Sequence, residues 1–135
     1  RLGDRTATAR ADAQGRFTLE FPARPASSDP LTLTVTGADG NAATVSDILV
    51  GDVWLCSGQS NMEWPLSASV GGAAAVQASA DAGLRLMLVP KDTAAAPQAA
   101  FSAPTPWKLA SAESTPPFSA ACYYMARQLR RWAAD

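Results

Sequence analysis

Residues 47–62, with the sequence DILVGDVWLCSGQSNM, constrain the fold of this chain more than any other stretch. The first part of the run is almost continuously apolar, which is typical of a strand buried on both faces. The run then breaks into small polar residues around Gly58, which can adopt backbone angles closed to other residues. We therefore predict a buried central strand at 53–56, followed by a tight turn that carries Ser60 at the strand's carboxyl end. Open α/β sheets bind their ligands at that position.

Ser60 has two interpretations at such a turn. If a helix begins just after the turn, its free N–H groups face whatever lies over Ser60, as a serine nucleophile with an oxyanion hole requires. Alternatively, Ser60 or Asn61 only caps that helix, because both residue types are good N-caps. The G-x-S-x-G elbow of α/β-hydrolases does not fit, because Met62 stands where its second glycine would be.

The whole string at 50–63 closely resembles the first sequence block of the sialate O-acetylesterase family, within the GDSL/SGNH class of serine hydrolases. Upstream, residues 15–17 and the strand before Asp47 look like the end of that family's small N-terminal β-domain. Downstream, residues 118–129 are similar to its helix after the first block. The resemblance follows the family's order and spacing over most of the chain.

The resemblance implies an α/β fold class in two parts. Residues 1–47 would be part of a β-sandwich-like domain, and residues 48–135 the N-terminal portion of an SGNH-type three-layer α/β hydrolase domain. The implied activity is that of a carbohydrate O-acetylesterase, secreted or periplasmic, that acts on an O-acetylated sugar or glycan. Ser60 would attack the acetyl carbonyl, and its backbone N–H would contribute to the oxyanion hole. No cofactor or metal is implied.

The neighbours of Ser60 are assigned supporting roles. Gly58, Gln59 and Asn61 are expected to hold the turn in shape, without transferring protons. Trp64 is a candidate to line a pocket over Ser60, although a single tryptophan is more often part of a core. Asp52 precedes Ser60 on the same run, whereas the family's catalytic acid lies later, so we interpret Asp52 as structural.

The chain contains no histidine. A Ser-His-Asp mechanism needs an imidazole to accept the serine proton, so this chain cannot complete such a triad from its own residues. In the resembled family the Asp and His lie near the far end of a longer catalytic domain. We therefore expect the chain to be a fragment, cut at both ends and inactive alone.

Composition excludes several other function classes. The net charge of −1 with 17% charged residues gives no electrostatic footprint for nucleic acid or an anionic membrane. No apolar run approaches the roughly 20 residues of a membrane span. Cys56 and Cys122 are too few for a zinc site. They leave a disulfide possible, but we favour two buried thiols, one on the central strand and one on a helix.

Upstream of the run, residues 5–45 predict β structure. Apolar and polar residues alternate at 17–21 and at 31–36, and turn residues at 12–15 and 37–41 suggest hairpins. Pro22, Pro25 and Pro30 bound a loop between them that is not expected to pair. We interpret this part as a packing module without chemistry.

Downstream of Ser60, the pattern predicts helix, strand and helix. Residues 73–82 favour a helix that ends at Gly83, and residues 84–89 a strand parallel to 53–56. After a surface loop at 91–106, a last helix is predicted to begin at 114–116. Its predicted apolar stripe consists of Phe118, Cys122, Met125, Leu129 and Trp132. Its basic end, which is expected to be solvated, consists of Arg127, Arg130 and Arg131.

Two other functions stay open. One is a carbohydrate-binding β-module with a catalytically inert α/β piece, which exposed aromatic residues on a sheet at 17–21 would favour. The other is a purely structural fragment in which Ser60 is a buried cap. The sequence leaves open which acetylated sugar would be the substrate.

Overall fold

The computed structural model describes residues 1–132 and has a small mixed α/β architecture with two antiparallel two-stranded sheets. The chain separates into two compact units, Arg1–Val53 and Trp54–Asp135, which we call the first and second units. The predicted domain boundary after residue 47 remains a prediction. Within the described residues, no helix is long and apolar enough to cross a membrane.

The first unit is built on one β-hairpin. Strand β1 (Ser27–Thr36) pairs antiparallel with β2 (Ala42–Val50). The turn between them is closed by backbone hydrogen bonds, of which the Gly37 amide donates one to the Asn41 carbonyl at 2.8 Å. Gly40 takes a φ of 83°, which favours glycine. The alternation at 31–36 and the turn at 37–41 are therefore confirmed as a hairpin.

The strand predicted at 17–21 is wrong. These residues have no regular secondary structure, although the predicted turn before them forms, with the Gly15 amide donating to the Asp12 carbonyl at 2.9 Å. Alternation produces a strand only where a neighbouring strand accepts its hydrogen bonds, and β1 and β2 pair with each other instead. The sheet at 17–21, whose exposed aromatic residues would have favoured a carbohydrate-binding module, does not form.

Two irregularities mark the hairpin. Pro30 lies inside β1, not in a loop, where the pairing register shifts between Ser27 and Leu31. A second shift, between Leu31 and Leu33, coincides with a φ of 60° at Asp47 on β2. Proline is tolerated in a strand at such bulges, because no ladder hydrogen bond is lost there.

Within residues 1–132, all of the helices lie in the second unit. It contains helix α1 (Ser60–Glu63), the 3₁₀ helix Leu66–Ala68, helix α2 (Gly72–Gln77), strands β3 (Asp81–Leu86) and β4 (Lys108–Ala110), and helix α3 (Ala120–Trp132). Its buried core cluster consists of side chains from the 3₁₀ helix, α2 and α3, namely Leu66, Ala75, Val76, Ala120 and Tyr123. The core therefore lies where these three helices meet.

The predicted parallel pair of strands is wrong. Residues 53–56 form no strand, and Val53 and Leu55 are 78% and 84% exposed. The second strand is real but begins earlier than expected, as β3, and pairs antiparallel with β4. An apolar run becomes a buried strand only when neighbours pair with it on its edges, and the described residues supply none at 53–56.

Gly83 has a different role from the helix end that was predicted. Helix α2 ends at Gln77, and Gly83 lies within β3. A Cβ at Gly83 would collide with the Arg130 guanidinium. That guanidinium donates two hydrogen bonds to the Asp81 carboxylate, at 3.1 and 3.2 Å. The glycine therefore leaves room for an ion pair that joins β3 to α3.

Helix α3 confirms the last predicted helix but begins later than 114–116. Ser119 caps it, because its hydroxyl accepts a hydrogen bond from the Cys122 amide at 3.3 Å and its carbonyl accepts one from the Tyr123 amide. The predicted stripe is only partly buried, since Met125 and Trp132 are exposed.

The basic end of α3 is not simply solvated, as was predicted. Arg130 pairs with Asp81, and the Arg127 guanidinium lies 4.9 Å from the centroid of the Tyr124 ring, a cation–π contact. These two arginines therefore hold the helix to β3 and to its own aromatic residues.

Candidate functional site

Ser60 lies at the start of α1, a helix of a single turn. The Gln59 carbonyl accepts hydrogen bonds from the Met62 and Glu63 amides, at 2.8 and 3.0 Å. The N-cap is Gln59, and no side chain caps the helix. A helix does begin just after the turn, whereas the interpretation of Ser60 or Asn61 as its cap is wrong.

The polar groups of Ser60 are unengaged in the described part of the chain. Its side chain is exposed, and neither its hydroxyl nor its amide makes a hydrogen bond within residues 1–132. The amide is free because the first N–H groups of a helix have no intrahelical partner. Ser60 thus presents an accessible hydroxyl and a free amide donor at one position.

The other predicted turn residues differ in what they contact. A Cβ at Gly58 would lie 3.0 Å from Cβ of Met62, so glycine permits this close approach. Gln59 shapes the turn through its carbonyl, as described above. Asn61 is exposed, and its side chain has no hydrogen-bond partner within residues 1–132.

Trp64 is fixed by two hydrogen bonds. Its indole N–H donates to the Ala68 carbonyl at 3.1 Å, and its own carbonyl accepts from the Ala120 amide at 2.8 Å. The side chain is 54% exposed. A shallow groove of the second unit is lined instead by residues that include Leu86, Pro104 and Phe118. The pocket role of Trp64 remains a prediction.

Cys56 and Cys122 form a disulfide, with their Cα atoms 6.1 Å apart. The favoured interpretation as two free buried thiols is therefore wrong. It depended on placing Cys56 on a central strand, and that strand is absent. The bond joins the run before Ser60 to the first turn of α3.

Two side-chain contacts connect α1 to other parts of the second unit. The Ser119 hydroxyl donates to the Met62 sulfur at 3.4 Å, next to the start of α3. The Lys91 ammonium lies 3.0 Å from the Glu63 carboxylate, with both side chains largely exposed. Sequence reasoning missed Ser119, although a serine just before an apolar helical stripe is a recognisable N-cap signal.

The described residues hold no recognisable partner for the proton of Ser60. The chain has no histidine, and the Ser60 hydroxyl has no hydrogen-bond partner within residues 1–132. Among residues 1–132, no group of three or more His, Cys, Asp and Glu side chains could hold a metal ion. The site therefore consists of the accessible hydroxyl and free amide of Ser60, on a turn held by backbone hydrogen bonds and the Cys56–Cys122 disulfide.

This chain is similar over almost its whole length to a solved structure. That structure is the crystal structure of XAC1771, a novel carbohydrate acetylesterase from Xanthomonas citri, with 40% sequence identity and a TM-score of 0.90. The match covers 99% of this chain and 30% of the Xanthomonas citri enzyme, so the chain spans less than a third of that protein's length. No protein-family model matches the chain, and no curated protein matches it.

Proposed function

We propose that this chain is the part of a carbohydrate O-acetylesterase that carries the nucleophile. The observation behind the proposal is the similarity to the Xanthomonas citri carbohydrate acetylesterase, at 40% identity over 99% of the chain. The finer assignment, to the sialate O-acetylesterase family of SGNH-type serine hydrolases, depends on the sequence block at 50–63.

Ser60 is the proposed nucleophile. Its hydroxyl oxygen would attack the acetyl carbonyl carbon of an O-acetylated sugar, releasing the sugar alcohol and leaving an acetyl-enzyme that water hydrolyses. The amide of Ser60 would donate to the oxyanion that develops in each tetrahedral intermediate. The accessible hydroxyl and the free amide at the start of α1 support both roles.

The base and the acid of the triad would come from outside these 135 residues. The absence of histidine requires this if the mechanism is that of a Ser-His-Asp enzyme. A secreted or periplasmic location is part of the proposal, and the Cys56–Cys122 disulfide favours it, because disulfides persist in oxidising compartments.

The test uses a chimera in which this chain replaces the matching 30% of the Xanthomonas citri enzyme. We expect the chimera to release acetate from acetylated sugars, and Ser60→Ala to lower kcat by a factor on the order of 10⁶, the scale known for serine-protease triads. Ser57→Ala is the matched control, since this exposed serine lies on the same run. If the Ser60→Ala chimera keeps a kcat within about tenfold of the parent, the assignment of Ser60 as nucleophile is overturned.

A further inference from the structure

We propose that the Cys56–Cys122 disulfide positions Ser60 for attack, so that the reactivity of the site depends on this pair being oxidised. The inference rests on the proposed role of Ser60 and adds to it a positioning element and a redox dependence. The run that carries Ser60 and the helix to which the disulfide ties it differ in how well they are packed.

The run before Ser60 has little structure of its own. Residues 52–58 form no helix or strand, and Val53, Trp54 and Leu55 are exposed. No backbone hydrogen bond between the described residues involves this stretch. Segments with few buried contacts and few internal hydrogen bonds open at low free-energy cost.

The first turn of α3, in contrast, is anchored in the core. Ala120 and Tyr123 belong to the buried cluster, and Tyr123 is 2% exposed. Cys122 lies between them and is itself buried. The disulfide therefore joins a run without regular structure to a buried position beside the core of the second unit.

Weaker contacts assist the disulfide on the other side of Ser60. The Ala120 amide donates to the Trp64 carbonyl, and the Ser119 hydroxyl donates to the Met62 sulfur. A sulfur acceptor is weak, and these contacts act only after the turn. The segment that carries Ser60 is thus held at both ends by the start of α3, with a covalent bond only at Cys56.

Reduction would release the covalent end. A dithiol reductant such as dithiothreitol supplies two electrons and two protons, the S–S bond breaks into two thiols, and the reductant becomes a cyclic disulfide. Displacement of a nucleophile by about 1 Å can cost on the order of 100-fold in rate. The reduced protein would then keep a serine that is present but badly placed.

The first experiment reads the turn without using activity. Amide hydrogen exchange is compared between the oxidised chain, the reduced chain and Cys56→Ser/Cys122→Ser. We expect the Met62 and Glu63 amides to exchange at least tenfold faster without the disulfide, relative to amides in the middle of α3. Asp81→Asn is the matched control, because it breaks the ion pair to α3 away from Ser60. Exchange at Met62 and Glu63 that changes less than twofold relative to α3 would overturn the proposal.

The second experiment separates positioning from folding. A fluorophosphonate probe is reacted with the chimera, whose labelling endpoint counts folded sites and whose rate constant reports the geometry of Ser60. We expect Cys56→Ser/Cys122→Ser to lower the rate constant at least tenfold among the molecules that label. An unchanged rate constant with a lower endpoint would mean that the disulfide only stabilises the fold, which contradicts the proposal.

The two experiments also distinguish the failure of this inference from failure of the proposed function. If the parent chimera shows no label on Ser60, the nucleophile assignment fails, while faster exchange at Met62 and Glu63 would still establish the disulfide as the support of the turn. If Ser60 labels in the parent at the same rate with and without the disulfide, the nucleophile stands and the positioning role fails.

Discussion

Removing the disulfide should lower the free energy of unfolding of the second unit by about 4 kcal/mol. The bond closes a loop with a sequence separation of 66, and the chain-entropy model assigns a loop of this size a stabilisation of about 4 kcal/mol. This value is a large share of the free energy of unfolding of a small domain, which is roughly 5–15 kcal/mol in total. Cys56→Ser/Cys122→Ser is the perturbation, and the reduced parent chain should reproduce it.

Urea denaturation followed by tryptophan fluorescence measures this effect selectively. All four tryptophans lie in the second unit, so the signal reports that unit alone. With a slope of about 1 kcal/mol per M, the midpoint should fall by about 4 M, or the second unit should be unfolded before urea is added. A parent and a double variant that differ by less than about 1 kcal/mol would refute the reasoning, because the loop would then constrain little of the unfolded state.

Two further predictions concern the packing of the second unit. Gly72→Ala should destabilise the second unit by about 1–3 kcal/mol or more, because the new Cβ would collide with the Leu66 carbonyl. Gly71→Ala should cost only about 1 kcal/mol, because its backbone is left-handed but the new Cβ would lie in open space. The same urea titration measures both effects. Partial burial opposes ionisation of Asp81, but hydrogen bonds from Arg130 and a backbone amide outweigh it and hold the pKa of its carboxyl below the usual value. The stability difference between the parent and Asp81→Asn should therefore be constant above about pH 5 and shrink as the pH falls below about 4, and a difference that grew in acid would contradict this sign.

Local patterns predicted the elements whose partners lie nearby in the sequence. The hairpin of β1 and β2 follows from alternation on both sides of the turn at 37–41, and each strand finds its partner across that turn. Helix α3 follows from its apolar stripe, since helical hydrogen bonds are internal to the segment. The short helix considered after Gly58 is likewise a local element, and it forms as α1.

The strand predicted at 53–56 does not form, although its apolar pattern favoured one. An apolar run states that a segment is suited to burial, but hydrogen-bonding neighbours decide whether it becomes a strand, and these are distant in sequence. The prediction of two free thiols was wrong for a related reason, because cysteine pairing depends on which elements meet in space. Gly83 was assigned to a helix end by its position after α2, whereas its role is set by Arg130, far along the chain.

The central claim is that Ser60 is the nucleophile of an acetylesterase, and mapping a covalent adduct tests it most directly. The chimera and the 135-residue chain alone are incubated with a fluorophosphonate, digested and analysed by mass spectrometry. We predict stoichiometric modification of Ser60 in the chimera, none in its Ser60→Ala variant, and only slow modification of the chain alone, which has no histidine to activate the hydroxyl. An active chimera whose adduct lies on any residue other than Ser60 would contradict the account.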